Sequence, residues 1–498
     1  ARFNIARYCL AENARSRPVK TGLILLGAGG SVRHWSFGAL DLAVRRVAGG
    51  LAAAGARPGQ RLMIRMDNEF GYLLAFFGAL AAGLVPLPSS AALTEEEAAF
   101  LCADAGAEWL ALSDDLAFHG AAPAGVQVLG EAGLLALAET GPAASYADTA
   151  ADDPGFLIYT SGTTGRPKGV LHGHRVAWGR RPMLAGWLGI GPEDILLHPG
   201  AFNWTYTLGV GLIDPWAAGA TAVLCSAAPE PGAWPEIIER LGVTLFATVP
   251  SLYRRILKYA DLDPGRMPSL RHGLTAGEPL PPTLLEAWRA ATGRLLYEAL
   301  GMSEISTYIS TAPGMAIRPG SPGKPQAGRR IAILDPEAPA DAPRLLPAGA
   351  TGLIAVHRSE PGLMLRYWNR PEEDALVYRG EWFTGGDLAH LDAEGYLWFH
   401  GRNDDIMKIS GYRLSPLEIE RVLAQHPGVA DIAVGPHAVS AELTVLAAFV
   451  VAQGEPDPQS LLDYAAAHLA AYKCPRRVLF LERLPRTANG KLLRRELP

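Results

Sequence analysis

Tyr159-Thr160-Ser161-Gly162-Thr163-Thr164-Gly165-Arg166-Pro167-Lys168-Gly169-Val170 follows directly on the apolar run Phe156-Leu157-Ile158. An apolar run opening into such a segment reads as a buried strand that delivers a glycine-rich loop. The glycines let backbone N–H groups turn inward, the hydroxyls of Ser161, Thr163 and Thr164 add donors, and Lys168 adds a cation. Those are the needs of a polyphosphate. The spacing is not G-x-x-x-x-G-K-[ST], so this is not the P-loop of the common NTPases. A plain Gly/Ser/Thr hairpin turn is the alternative reading.

On both sides of this loop, from Phe37 to about Pro250, Ala/Leu-rich helical stretches alternate with short β-branched runs such as Arg61–Met66 and Ala220–Leu224. That alternation predicts an α/β domain with largely parallel sheets. Between Ile331 and Phe399 the runs shorten and are separated by Gly, Pro and Asp, which predicts an antiparallel β subdomain. After Gly401-Arg402-Asn403-Asp404-Asp405 a small α+β unit follows: helices over Ser415–Gln425 and Ser460–Ala471, strands over Val429–Val434 and Leu443–Val451. The expected division is a large N-terminal domain, 1–403, and a small C-terminal domain, 404–498.

With 498 residues, 49% hydrophobic and 19% charged, the chain has core material for at least two domains and is neither disordered nor collagen-like. A net charge of −5 and the absence of a long basic block argue against a nucleic-acid partner. Cys9, Cys102, Cys225 and Cys474 form no C-x-x-C pair, so neither a zinc site nor a disulfide framework is expected. No membrane span is expected either. The uncharged stretch Phe70–Thr94 is interrupted at Pro86 and Pro88 and reads as a buried helix running into a buried strand. The N-terminal arginines leave nothing resembling a secretory signal, and the expected compartment is the cytoplasm.

Five further segments occur in order: Gly277-Glu278-Pro279-Leu280; Tyr297-Glu298-Ala299-Leu300-Gly301-Met302-Ser303-Glu304; Glu381-Trp382-Phe383-Thr384-Gly385-Gly386-Asp387; Gly401-Arg402 through Asp404, Lys408, Gly411 and Arg413; and Pro485-Arg486-Thr487-Ala488-Asn489-Gly490-Lys491. With the loop at 159–170 they resemble the motifs of the adenylate-forming superfamily of acyl-CoA synthetases, peptide adenylation domains and luciferases. The resemblance runs over essentially the whole chain and is closest to medium-chain or aryl-acid CoA ligases. It implies ATP, Mg²⁺ and coenzyme A as cofactors and a small carboxylic acid as substrate.

Carried over residue by residue, the resemblance puts ATP or AMP against Ser161, Gly162, Thr163, Thr164, Gly165, Lys168, Gly277, Glu278, Pro279, Tyr297, Glu298, Ala299, Ser303, Asp387, Arg402 and Arg413. Tyr297 and Glu298 would border the adenine, Asp387 would grip the ribose, and Glu304 would hold the metal. Thr163, Glu304 and Lys491 would be catalytic, Asp404 the hinge and Gly411 part of the CoA path. The usual Thr of the segment Glu381–Asp387 is Gly385 here, so no hydroxyl is assigned at that position. Gly411 also reads as a turn glycine.

A carboxylate attacking the α-phosphorus of ATP brings two anions together, so cations and inward N–H groups between them lower the barrier. The segment His198–Gly209, followed by Asp214-Pro215-Trp216, resembles the acyl gate of short- and medium-chain synthetases, with Trp204 and Tyr206 lining the pocket. A core tryptophan at a helix start is the alternative for Trp204. Asn203 after Phe202, where amino-acid-activating domains carry an Asp, disfavours an ammonium-bearing substrate. Ile305–Ser310 carries no Lys or Arg for a second carboxylate. A neutral monocarboxylic acid, of medium chain or with one aromatic ring, is therefore expected. Alternatives are a stand-alone adenylation enzyme with another acceptor, a luciferase-like oxygenase and an inactive nucleotide sensor. His172 and His174 read as packing or pocket residues, because no Cys or carboxylate stands at ligand spacing.

Overall fold

The computed structural model describes residues 1–116, 125–160, 167–226, 229–403, 407–409, 412–414, 416–439, 444–469, 471–486 and 492–498. The apolar run preceding the glycine-rich loop is strand Pro154–Thr160, and Lys168–Gly173 returns antiparallel to it with Thr160 opposite Lys168. Both ends of the loop are thus held in one hairpin, whose second strand also pairs with Arg366–Tyr367. Ser161, Gly162, Thr163, Thr164 and Gly165 themselves lie outside the described residues.

The chain forms two compact units. The first takes in residues 1–330 and 357–381 and holds the hairpin and the predicted parallel sheets. Strands Leu296–Met302, His272–Ala276, Leu245–Thr248, Ile195–Leu197, Thr221–Cys225 and Thr21–Leu26 run parallel, in that spatial order. Antiparallel strands flank them on both sides, Ser306–Ser310 and then Lys324–Pro325 beyond Leu296–Met302, and Val32–Ser36 beyond Thr21–Leu26. A second, all-parallel sheet joins Val85–Ser89, Arg61–Arg65, Trp109–Leu112 and Gln127–Gly130.

Helix Phe70–Ala82 is buried all round, and so is strand Val85–Ser89 after it. Fully burying each of its large apolar side chains contributes about 1.5–3 kcal/mol, which explains why this uncharged stretch is core. Gly83, at φ 78°, ends the helix in the left-handed conformation that glycine adopts without penalty. Among the described residues no helix is long and apolar enough to cross a membrane.

The second unit takes in residues 331–356 and 382–498. Its first part is the predicted antiparallel sheet, with Ile331–Leu334 on Gly352–His357 and Trp382–Leu391 on Leu397–Arg402. Helices Pro416–Leu423 and Pro458–His468 accompany a sheet of Val429–Ala438, Thr444–Ala452 and Arg477–Phe480. Residues 331–356 and 382–403, assigned by sequence to the large domain, are grouped here with the C-terminal residues, while 357–381 stay with the first unit. Asp404 and Gly411 lie outside the described residues, as does Lys491; Arg413 lies in strand Tyr412–Leu414, with its side chain outside the description.

Candidate active site

In an open parallel sheet the crevice beyond the carboxyl ends of the strands is where ligands bind. Here those ends carry His198 after Ile195–Leu197, Val249 after Leu245–Thr248, Gly277 after His272–Ala276, and the Ser303-Glu304 turn after Leu296–Met302. The gate segment, the turn at 277–280 and the Ser303-Glu304 turn thus lie at one end of the sheet, because neighbouring parallel strands end side by side.

The turn at 277–280 meets the gate segment directly. Gly277 has φ +90°, and a Cβ there would lie 2.7 Å from Cη2 of Trp204. Only glycine satisfies both the backbone conformation and the close approach of the indole. Trp204 precedes the short helix Thr205–Leu208 and stands edge-on to Tyr206, centroids 5.4 Å apart. Tyr206 is buried, also meets His198 edge-on, and hydrogen-bonds the Thr248 carbonyl at 3.3 Å. The loop before it is tied down by Asn68, which donates to Gly200 O at 2.7 Å and accepts from Phe202 N at 3.1 Å. Trp204 is thus packed between the Gly277 turn and Tyr206, at the edge of an apolar cluster.

Glu278 accepts from Ser251 Oγ at 3.1 Å, while Pro279 is exposed. Glu298 accepts from the Leu280 N–H at 3.0 Å, stapling the 277–280 turn to its neighbouring strand. Tyr297 points its ring away from Glu298, as strand alternation requires. It packs edge-on to His272 and lies in the apolar cluster of Trp187, Tyr206, Leu274 and Ala299.

Glu304 accepts a 2.7 Å hydrogen bond from the hydroxyl of Tyr367. Burial, then the adjacent carboxylate, push the Tyr367 phenol well above its ordinary range, so it stays a donor. Lys168 stands 3.9 Å from the centroid of the same ring and 3.1 Å from the Glu373 carboxylate. A cation, an aromatic ring and a carboxylate thus form one row at the mouth of the glycine-rich hairpin. Tyr367 and Glu373 were invisible to motif reading, because the contacts join residues far apart in sequence.

Ser303 receives a 2.9 Å bond on its carbonyl from His172 Nε2. Burial lowers His172 and His174 to about 4, so both are neutral, and His174 Nδ1 accepts from the Ile5 N–H at 3.3 Å. They pack, as their sequence context suggested. His198 is lowered by burial to about 3; its Nδ1 accepts from the Gly200 N–H, which leaves the proton on Nε2.

Two buried arginines from elsewhere reach the neutral stretch 305–310, which the local sequence did not reveal. Arg180 donates from Nε and Nη2 to Asp214 at 2.7 and 2.6 Å and from Nη1 to Ser306 Oγ. Arg329 pairs with Glu360 at 2.7 Å and donates to Thr307 O at 3.2 Å. Each guanidinium therefore has a carboxylate of its own.

In the second unit Asp387 is buried and stands opposite Arg402 in register, 3.3 Å from its Nη1. Gly386, at φ +83°, leaves room for that guanidinium, 3.2 Å from where a Cβ would be. Asp387 and Arg402, picked independently from sequence, are thus a pair.

The family model described as AMP-binding enzyme matches residues 10–368, and that of its C-terminal domain matches 418–491. A 3-hydroxybenzoate–CoA ligase of Aromatoleum sp. (strain CIB) is 32% identical, covering 93% of this chain and 91% of its own. The acyl-coenzyme A synthetase ACSM3 of Mus musculus is 31% identical over 99% of this chain and 90% of its own. Among solved structures, a benzoate CoA ligase from Burkholderia xenovorans LB400 superposes with a TM-score of 0.87 at 29% identity, covering 99% of both chains. The chain belongs to the AMP-binding enzyme family and is an AMP-forming acid:CoA ligase, with ATP, a small acid and coenzyme A as its reactants.

Proposed function

We propose that the acid is a neutral monocarboxylate with a single aromatic ring or a medium-length chain, activated as its acyl-adenylate and then transferred to coenzyme A. The observation that carries this reading is the wall of the gate cluster: Trp204, Tyr206, Trp187, Leu274 and Ala276 are aromatic or apolar. The nearby cations Arg180 and Arg329 are each already held by a carboxylate. A dicarboxylate would bring an anion into this wall that neither arginine is free to neutralise, at a cost an apolar contact does not return. The names of the 3-hydroxybenzoate and benzoate ligases support the aromatic arm.

In the first half-reaction the carboxylate approaches the α-phosphorus while charge builds on the leaving pyrophosphate. We assign Lys168 and the hydroxyls and N–H groups of Ser161–Gly165 to the phosphate oxygens, with Thr163 among them. Glu304, its carboxylate oriented by Tyr367, offers a hard oxygen that fits Mg²⁺. When bound, Mg²⁺ neutralises phosphate charge. Glu278, Pro279, Tyr297, Glu298, Ala299 and Ser303 are assigned to the nucleotide side, and Asp387, Arg402 and Arg413 to its ribose and phosphates. Lys491 is assigned to adenylation, Asp404 to the hinge and Gly411 to the thiol's path in the second half-reaction.

The test is kcat/KM for thioester formation over acetate, butyrate, hexanoate, octanoate, benzoate, aminobenzoate and malonate. A maximum at benzoate, aminobenzoate, hexanoate or octanoate is expected. A maximum at acetate or malonate overturns the assignment.

A further inference from the structure

Ser306 is one of two non-glycine residues with positive φ among those described, at +76°; the other, Asn369 at +51°, lies two residues after Tyr367. Such backbone conformations are uncommon outside glycine and persist only where the surroundings hold them. The first lies two residues after Glu304, and the second two residues after the tyrosine whose hydroxyl bonds its carboxylate.

What holds Ser306 is visible. Its side chain accepts a hydrogen bond from Arg180, and Gly301 faces it so closely that a Cβ on Gly301 would lie 2.4 Å from the Ser306 carbonyl oxygen. Met302 pairs with Ser306 and Gly301 with Thr307, so Met302 and Ser306 are the feet of the turn that presents Ser303, Glu304 and Ile305. Arg180 in turn is fixed by a buried bidentate pair with Asp214, their side chains 5% and 1% exposed. The guanidinium lies on Gly209, where an added Cβ would come within 2.1 Å of Nη2.

Asp214 and Gly209 belong to the segment that follows the gate residues Trp204 and Tyr206, and residues 209–213 form a π-helical turn. Such turns concentrate at functional sites. One fork therefore joins the acid-side segment to the turn carrying the proposed metal carboxylate. We propose that Arg180, held by Asp214, is a positioning residue that sets the Glu304 turn through Ser306 and ties the acid side of the site to its metal side. This rests on the reading of Glu304 as the metal ligand.

Lys at this position keeps the charge but lacks the planar fork that serves Asp214 and Ser306 at once. Arg180→Lys and Ser306→Ala are expected to raise the Mg²⁺ concentration for half-maximal acid-dependent pyrophosphate exchange and to lower its maximal rate by roughly 10- to 100-fold. Gly209→Ala, which changes no charge, displaces the guanidinium and is expected to give the same pattern. Because loss of one partner of a buried pair can unfold a protein, the decisive variant is Arg180→Met/Asp214→Leu, an apolar replacement that such sites commonly tolerate. It should keep the wild-type urea midpoint and yet show the shifted Mg²⁺ dependence. The inference is overturned if folded Arg180→Lys, Gly209→Ala and the double variant all retain wild-type Mg²⁺ dependence and rate. Failure of the underlying reading is separate: wild-type exchange would then be insensitive to Glu304→Gln.

Discussion

Replacing Tyr367 by Phe removes one hydroxyl and leaves the ring under Lys168. The lost hydrogen bond, 2.7 Å from a neutral donor to the Glu304 carboxylate, is of a class that contributes about 1.5–3 kcal/mol. Glu304 is only partly buried, so water can take over the vacated lone pair and the lower end applies. About 1.5 kcal/mol corresponds to roughly tenfold in a binding constant. A Mg²⁺ titration of acid-dependent pyrophosphate exchange should therefore show half-saturation roughly tenfold higher in Tyr367→Phe, with KM for the acid little changed. Tyr367→Ala should in addition raise KM for ATP, since it also removes the ring 3.9 Å from the Lys168 ammonium, a contact contributing about 0.5–2 kcal/mol. An unchanged Mg²⁺ dependence in Tyr367→Phe would refute the orientation of Glu304 by this hydroxyl.

Trp204→Ala removes the indole that lies on Gly277 and should move the ranking of kcat/KM toward bulkier acids; a ranking that stays put would mean that Trp204 is core and not wall. Lys491→Ala should suppress acid-dependent pyrophosphate release yet spare thioester formation from synthetic acyl-AMP, and equal loss of both half-reactions would dismiss the division of labour. Acid should destabilise the fold: burial pushes His172 and His174 to about 4 and His198 to about 3, against ~6.5 in an unfolded chain. Below ~6.5 the unfolded state binds protons that the folded state refuses, so stability present above that pH is lost on the way down to about 4. The urea midpoint should fall from pH 7 to pH 5, and a flat midpoint would contradict the burial of neutral imidazoles.

The alternation of apolar runs and Ala/Leu helices made the parallel sheets readable, because strands buried on both faces must be continuously apolar. The switch to short, Gly- and Asp-separated strands after Ile331 made the antiparallel sheet readable for the converse reason. The hairpin ends of the glycine-rich loop and the Asp387–Arg402 pair were also within reach, since local motifs name their residues. Tyr367 and Glu304 stand 63 positions apart, and neither lies in a pattern that mentions the other. Arg180 and Asp214 stand 34 positions apart, and nothing local pairs them before the chain folds the guanidinium onto Gly209. The inward direction of the Tyr297 ring follows from the two-residue period of a strand, which sets it and Glu298 on opposite faces. What stays illegible locally is the set of contacts that long-range packing alone brings together.

The most direct measurement is exchange of labelled pyrophosphate into ATP in the absence of coenzyme A, with benzoate, octanoate, acetate and malonate offered separately. Exchange that depends on benzoate or octanoate and greatly exceeds that with acetate or malonate is the predicted result. Exchange that peaks with malonate or acetate, or that needs no acid at all, would contradict it.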